Sequence, residues 1–238
     1  MQAIMEPLFE IAYLICVITL GILILKRADG RLQFRLFGAM AIILGCGDAF
    51  HLVPRIYATW TDGIENHAAS VGFGTAVTSV TMTVFYVMLY HVWQQRYNKR
   101  SSGLTAAVYI LAIARVVLCL FPQNDWLSAD APLSWGIYRN IPFVILGILI
   151  IVLFFKEAKK AGDKAFRFMW LAIILSFAFY IPVVLFTDAL PALGMLMIPK
   201  TCAYVWIVWM GYSAAKTGQK KIKNGKLKIK VKGSPNPQ

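Results

Sequence analysis

The sequence predicts an all-α membrane protein, a bundle of seven transmembrane helices joined by short connections. Three observations carry that prediction. Apolar runs recur seven times, at 8–25, 36–57, 70–93, 104–121, 135–155, 168–187 and 190–212, and a helix needs about 20 such residues to cross a bilayer. Charged residues make up only 15% of the chain, against about 25% in an ordinary soluble domain. Finally, twenty of the 24 Lys and Arg residues fall in alternate gaps between the runs.

The first run begins within ten residues of Met1, with no basic leader and no small-residue cleavage site. It therefore reads as helix one rather than a signal peptide. Lys26, Arg27, Arg31 and Arg35 follow it. Helix two carries Asp48, His51 and Arg55, and the gap 58–69 then holds acids, Asp62 and Glu65, but no Lys or Arg. Helix three carries Thr75, Thr78 and Thr81 and ends at Arg96, Lys99 and Arg100. Helix four contains Arg115 and is capped by Gln123, Asn124 and Asp125; its gap again lacks Lys and Arg but holds Asp125 and Asp130. Helix five has Arg139 and Asn140 in its first turns and is followed by Lys156, Lys159, Lys160, Lys164 and Arg167. Helix six leads through Asp188 to helix seven, which carries Lys200 after Pro199. Residues 1–215 form one seven-helix domain, and 216–238 form a basic tail with eight lysines.

This charge pattern predicts an N-terminus outside and a C-terminus in the cytoplasm of a multi-pass protein of the plasma (cell) membrane, since basic loops stay on the cytoplasmic side. Trp60, Trp126 and Trp135 on the outer side and Trp93 on the inner side suit interfacial belts. The formal charge of +13 does not indicate nucleic acid, because it is spread over three short loops and a tail with no aromatic-interleaved groove. The tail alternates Lys with apolar residues over Lys220–Lys232, a pattern that lets it lie on anionic lipid or simply fix topology. The four cysteines (Cys16, Cys46, Cys119 and Cys202) all lie within spans as small core residues.

The two ends of the bundle resemble one another. Leu20-Gly21-Ile22-Leu23-Ile24 recurs as Leu146-Gly147-Ile148-Leu149-Ile150; each is followed by a basic loop ending in Phe-Arg and a helix containing Ala-Ile-Ile-Leu. Ala49-Phe50-His51-Leu52-Val53-Pro54 then parallels Ala178-Phe179-Tyr180-Ile181-Pro182. With gaps, this describes a 3+1+3 internal repeat, a recurrent way to build transporters. That architecture is similar to the one used by SWEET and PQ-loop transporters, but the only Pro-Gln pair, Pro122-Gln123, ends helix four. Lys200 is similar in placement to the lysine that binds retinal in rhodopsins, but helix three has no carboxylate. No functional residue is carried over from either family.

Four cations remain inside or at one end of the spans: Arg55, Arg115, Arg139 and Lys200. A cation in hydrocarbon is costly unless solvated or paired. Asp48, His51 and Arg55 are spaced i, i+3, i+7 and share a helix face. Lys200 falls roughly 15 Å into helix seven and Arg115 about 16 Å into helix four. Asp48 and Glu10 are the acids available on the outer side, so an ion pair of Lys200 with Asp48, or less directly with Glu10, is expected. Gly45 and Gly47 thin helix two for a neighbouring helix. Pro54, Pro142, Pro182 and Pro199 interrupt the outer halves, where each leaves an unsatisfied carbonyl.

These groups predict an outward-facing cationic pocket built from Asp48, His51, Arg55, Arg115, Arg139, Asn140 and Lys200, which binds or transports a small anionic solute. Two alternatives share its residues: a heptahelical receptor or sensor acting through a cytoplasmic partner, and a membrane-embedded lipid-modifying enzyme with His51 as base and Asp48 as its orienter. No HxxxH or HExxH spacing points to a metal, no nucleophile motif points to a catalytic serine, and no cofactor is implied.

Overall fold

The computed structural model describes residues 2–186 and 190–232, with side chains described for 4–186, 190 and 192–219. Asp188, the lysine side chains from Lys220 onward and the end of the tail after Lys232 lie outside the described residues. Seven helices form: α1 (Gln2–Lys26), α2 (Leu32–Trp60), α3 (Ala68–Tyr97), α4 (Ser102–Leu120), α5 (Leu133–Lys160), α6 (Met169–Phe186) and α7 (Met197–Lys232). Among the described residues there is no strand. Seven helical segments are long and apolar enough to cross a membrane, which fits a multi-pass membrane protein.

Helices α1 to α5 start before the apolar runs do. The difference is largest for α1, which starts at Gln2 and brings Glu6 onto the same helix as Glu10. It is reversed for α7. The run from 190 opens as a 3-10 turn, Pro191–Leu196, and the α-helix starts only at Met197. Pro199 therefore sits in the first α-turn, where its missing N–H costs no hydrogen bond; it is not the interruption expected from sequence. α7 continues through the 215/216 boundary without a break.

Each helix packs on the next in sequence, and α1 closes onto α7; α3 also reaches α5, and α2 reaches α7. The closest pairing is α2 on α3. Any Cβ on Gly74 would strike the Phe50 backbone of α2, and one on Gly47 would strike Thr81 of α3. Gly45 instead faces Ile18 of α1. The two glycines expected to thin one side of α2 thus admit two different neighbours.

The basic connections gather at one end, here the basic end. The Arg27 guanidinium lies over the Tyr212 ring at 4.8 Å. Arg96 clasps Asp163 of the α5–α6 connection through two nitrogens, one of them 2.7 Å from Oδ1, and the Tyr97 hydroxyl donates to the same carboxylate at 3.0 Å. Asp163 also accepts the Ala165 N–H. Lys99 meets Glu157 at 3.7 Å. Beyond this end the core is aliphatic and aromatic, with Phe37, Met40, Leu44, Phe85, Leu146 and Ile150 fully buried.

Two expectations fail here. Trp93 is no interfacial belt residue: it is buried, stacked on Tyr90 and donating to the Leu153 carbonyl at 3.1 Å. An indole inside the bundle needs such an acceptor. Cys46 and Cys202 are exposed on the helix surface, while Cys119 is buried.

Burial alone would raise the Asp163 carboxyl, but Arg96 and the Tyr97 hydroxyl outweigh it and hold it below its ordinary 3.8. A carboxyl depressed in the folded state adds stability above its unfolded value and loses it as pH falls through the folded one. Asp163→Asn is expected to lower stability by about 2 kcal/mol, as for a hydrogen bond to a charged group. The deficit, read as a melting difference in detergent, should hold from pH 8 to pH 5 and narrow only below about pH 4.

Candidate functional site

The half of the bundle away from the basic connections holds a cavity of about 110 Å³ to which all seven helices contribute. Its polar groups fall into two tiers. Glu6, Glu10 and Arg55 form the upper tier, near the α2–α3 turn. Asp48, Arg115 and Lys200 lie deeper, above a wall that includes Met82, Phe143 and Phe177.

In the upper tier, α1 presents Glu6 and Glu10 one turn apart, and Arg55 of α2 turns inward to meet them. Its Nη2 bonds Glu6, and its Nε lies 3.8 Å from Glu10. Arg55 therefore does not snorkel outward as its place near the span boundary suggested. One cation is shared by two carboxylates, which leaves this tier with a formal charge of −1.

In the lower tier, Asp48 accepts a 2.5 Å hydrogen bond from the Tyr13 hydroxyl of α1. A hydroxyl donating to a carboxylate at that distance is a charge-assisted bond. The expected Asp48–Lys200 ion pair is not formed. Among the described residues no carboxylate comes within 4 Å of the Lys200 ammonium, which lies over the Tyr180 ring at 4.9 Å and the Tyr204 ring at 5.8 Å. Glu10, the second expected partner, is engaged by Arg55. The reason is geometric: α1 lies beside α2 and supplies Tyr13 to Asp48, while two rings hold the lysine from α6 and α7.

Arg115 is 2% exposed. Its guanidinium lies 3.3 Å above the centre of the Phe143 ring, a contact that stabilises its charge but offers its N–H groups no acceptor. Nε and Nη1 are buried without a hydrogen-bond partner. A buried unsatisfied donor costs about 1–3 kcal/mol, more when charged. With Lys200 and Asp48, the lower tier has a formal charge of +1.

His51 lines the cavity but faces α3. Its Nδ1 lies 3.2 Å from the Val71 carbonyl and 2.9 Å from the Thr75 hydroxyl. A carbonyl partner requires Nδ1 to carry the proton, which leaves Nε2 as the acceptor. Asp48 does not orient this ring. Of the threonine stripe, Thr78 donates across to the Gly47 carbonyl at 2.9 Å, whereas Thr75 and Thr81 donate to carbonyls of their own helix.

Arg139 and Asn140 are not brought into the cavity. Arg139 stacks over Trp126 at 4.2 Å and donates to Asn124 Oδ1 at 2.9 Å. Asn124, fully buried, donates to the Leu118 and Phe121 carbonyls at the end of α4. This arginine thus secures a helix cap. Trp126 joins the same cap by donating to the Cys119 carbonyl at 2.8 Å. Asn140 donates to the Gly136 carbonyl and accepts from the Tyr180 hydroxyl at 3.1 Å. It holds Tyr180 in place from outside the cavity.

Several lining residues escaped the sequence reading, Glu6, Tyr13, Met82, Phe143 and Phe177 among them. Glu6, Glu10 and Tyr13 are spaced i, i+4, i+7, one helix face, a signal visible once helix one is extended to include Glu6. Among the described residues no cluster of His, Cys, Asp and Glu has a metal-holding arrangement. Comparison with protein families, with curated proteins and with solved structures finds no match.

Removing the Tyr13 hydroxyl leaves Asp48 buried without its donor. Tyr13→Phe is therefore expected to destabilise the protein by about 1–3 kcal/mol, measured by thermal unfolding in detergent, whereas Arg139→Lys, which keeps the charge, should lose stability only through the cap.

Proposed function

We propose that this protein binds a small anionic solute in the cavity and carries it across the plasma (cell) membrane. The observation that carries the reading is the Arg115 guanidinium: a buried cation among the residues that line the cavity, with two nitrogens that no protein group accepts from. An anion between Arg115 and Lys200 neutralises the +1 of the lower tier. Intramembrane ionisable groups face the bundle interior or a water-filled cavity and mark substrate and ion paths.

The orientation is part of the proposal: N-terminus outside, C-terminus cytoplasmic and cavity open outward, by the positive-inside rule. The basic tail rests on anionic lipid in this reading. The 3+1+3 repeat supports transport. Under it α1–α3 correspond to α5–α7, so the α3–α5 contact and the α7–α1 contact are equivalent, and both occur. Gly21 and Gly147, equivalent in sequence, both face the second helix of their half, meeting Ile42 and Phe177 respectively. Pro142 and Pro182, inside α5 and α6, flank the aromatic floor and provide places where those helices can bend.

One observation favours a receptor instead. Below the cavity Tyr86, Phe143 and Phe177 pack with centroids 5.0–5.7 Å apart, and the fully buried aliphatic core follows. A receptor needs no route through that floor; a carrier must open it. The enzyme alternative is weaker, since His51 lacks the Asp48 orienter and two of the three arginines on this side, Arg55 and Arg139, are occupied by Glu6, Glu10 and Asn124.

Purified full-length protein in detergent is expected to melt at a higher temperature with a small anion present. That shift should vanish in Lys200→Met and in Arg115→Met. Flux of the same anion into proteoliposomes identifies a carrier; binding without flux identifies a receptor; no shift with any anion would sink the binding reading. Labelling of single cysteines placed at Asp62 and at Lys164 in intact cells tests the orientation, with only the first expected to react.

A further inference from the structure

The size, charge and walls of the cavity narrow the occupant further. This step rests on the cavity being an anion site, and it concerns which anion. The volume of about 110 Å³ is below the roughly 150 Å³ of an apolar protein cavity that takes up benzene. Six non-hydrogen atoms are therefore near the upper limit.

Charge sets the valence. The lower tier offers one surplus positive charge, from Arg115 and Lys200 against Asp48. A monoanion cancels it. A dianion would leave an uncompensated charge in a water-poor site, next to an upper tier that already carries a surplus negative one from Glu6 and Glu10 around Arg55. The acids near the α2–α3 turn thus disfavour divalent anions, while the deep cations require one charge.

The walls set the remainder. Met82, Phe143 and Phe177 line the same cavity and are 3–8% exposed. Phe143 and Phe177 lie 5.1 Å apart, centroid to centroid. A spherical inorganic anion would leave this apolar wall unmatched; a carboxylate with a short hydrocarbon end would cover it. Burial of that end is favourable at about 0.8 kcal/mol per CH₂.

We infer that the occupant is a monovalent short-chain carboxylate of about four to six non-hydrogen atoms, its carboxylate between Arg115 and Lys200 and its apolar end against Met82, Phe143 and Phe177. Arg115 is the binding residue that selects an anion, and Met82 limits its length.

Calorimetric titration of the purified full chain at constant ionic strength tests this with acetate, propanoate, butanoate, hexanoate, oxalate and chloride. Affinity is expected to rise from acetate to propanoate or butanoate. Hexanoate, too long, and oxalate, equal to butanoate in non-hydrogen atoms but divalent, should each bind at least tenfold more weakly, as should chloride. Met82→Ala should shift the preference from butanoate toward hexanoate. Arg115→Met should abolish binding, and Arg115→Lys should restore part of it in a protein that melts like wild type. Tight binding of oxalate, hexanoate or chloride that still depends on Arg115 would overturn the carboxylate class and leave the anion site standing. Absence of binding by all six, in protein that remains folded, would overturn both.

Discussion

Arg115 imposes the constraint around which the far half of the bundle is arranged. It enters from α4 as that helix's one charged residue, and its charge cannot be left bare among apolar side chains, because an unpaired ion in low dielectric is among the most expensive things a fold can bury. The structure moderates that cost in two ways. Phe143 places its ring face beneath the guanidinium, and the residue borders the cavity left between the surrounding helices. Two nitrogens still lack acceptors. The other charged groups do not supply them, because each is engaged elsewhere: Asp48 by Tyr13, and Glu6 and Glu10 by Arg55.

That division of labour depends on close packing between α1, α2 and α3. The approach at Gly47 and Gly74 seats α2 against α3, which places His51 on the Val71 carbonyl and Thr78 on the Gly47 carbonyl. With α2 fixed on that side, Asp48 and Arg55 meet α1 on the other. The charged chemistry of α1 and α2 is thus largely self-satisfied, and the unsatisfied part falls on α4 and α7, where Arg115 and Lys200 lie over aromatic rings.

The opposite end is built on a different principle. Arg96, Tyr97 and Asp163 form a compact group in which every charged atom that matters has a partner, tying the end of α3 to the α5–α6 connection. Between this clasp and the cavity lies a core of fully buried large side chains, Phe37, Phe85, Tyr86 and Leu146 among them. One end of the molecule is therefore held firmly and the other is left open, an asymmetry suited to a protein that admits a solute from one side.

The sequence by itself determined that there are seven apolar helices, where they lie to within a few residues, and which residues are the costly ones. Length, hydropathy and the rarity of charge in a span are local properties, so they are legible one helix at a time. It did not determine partners. Asp48 and Lys200 appeared matched because both were unpaired in sequence, but the neighbour that reaches a buried carboxylate first is decided by helix packing, and that neighbour was Tyr13. Arg139 and Asn140 looked like pocket residues because they carry polar groups at the right depth; only the tertiary structure turns Arg139 onto Asn124 and Asn140 onto Tyr180. Helix rotation and the nearest acceptor are properties of the assembled bundle, and they separate a residue that holds the fold from one left free to hold a ligand.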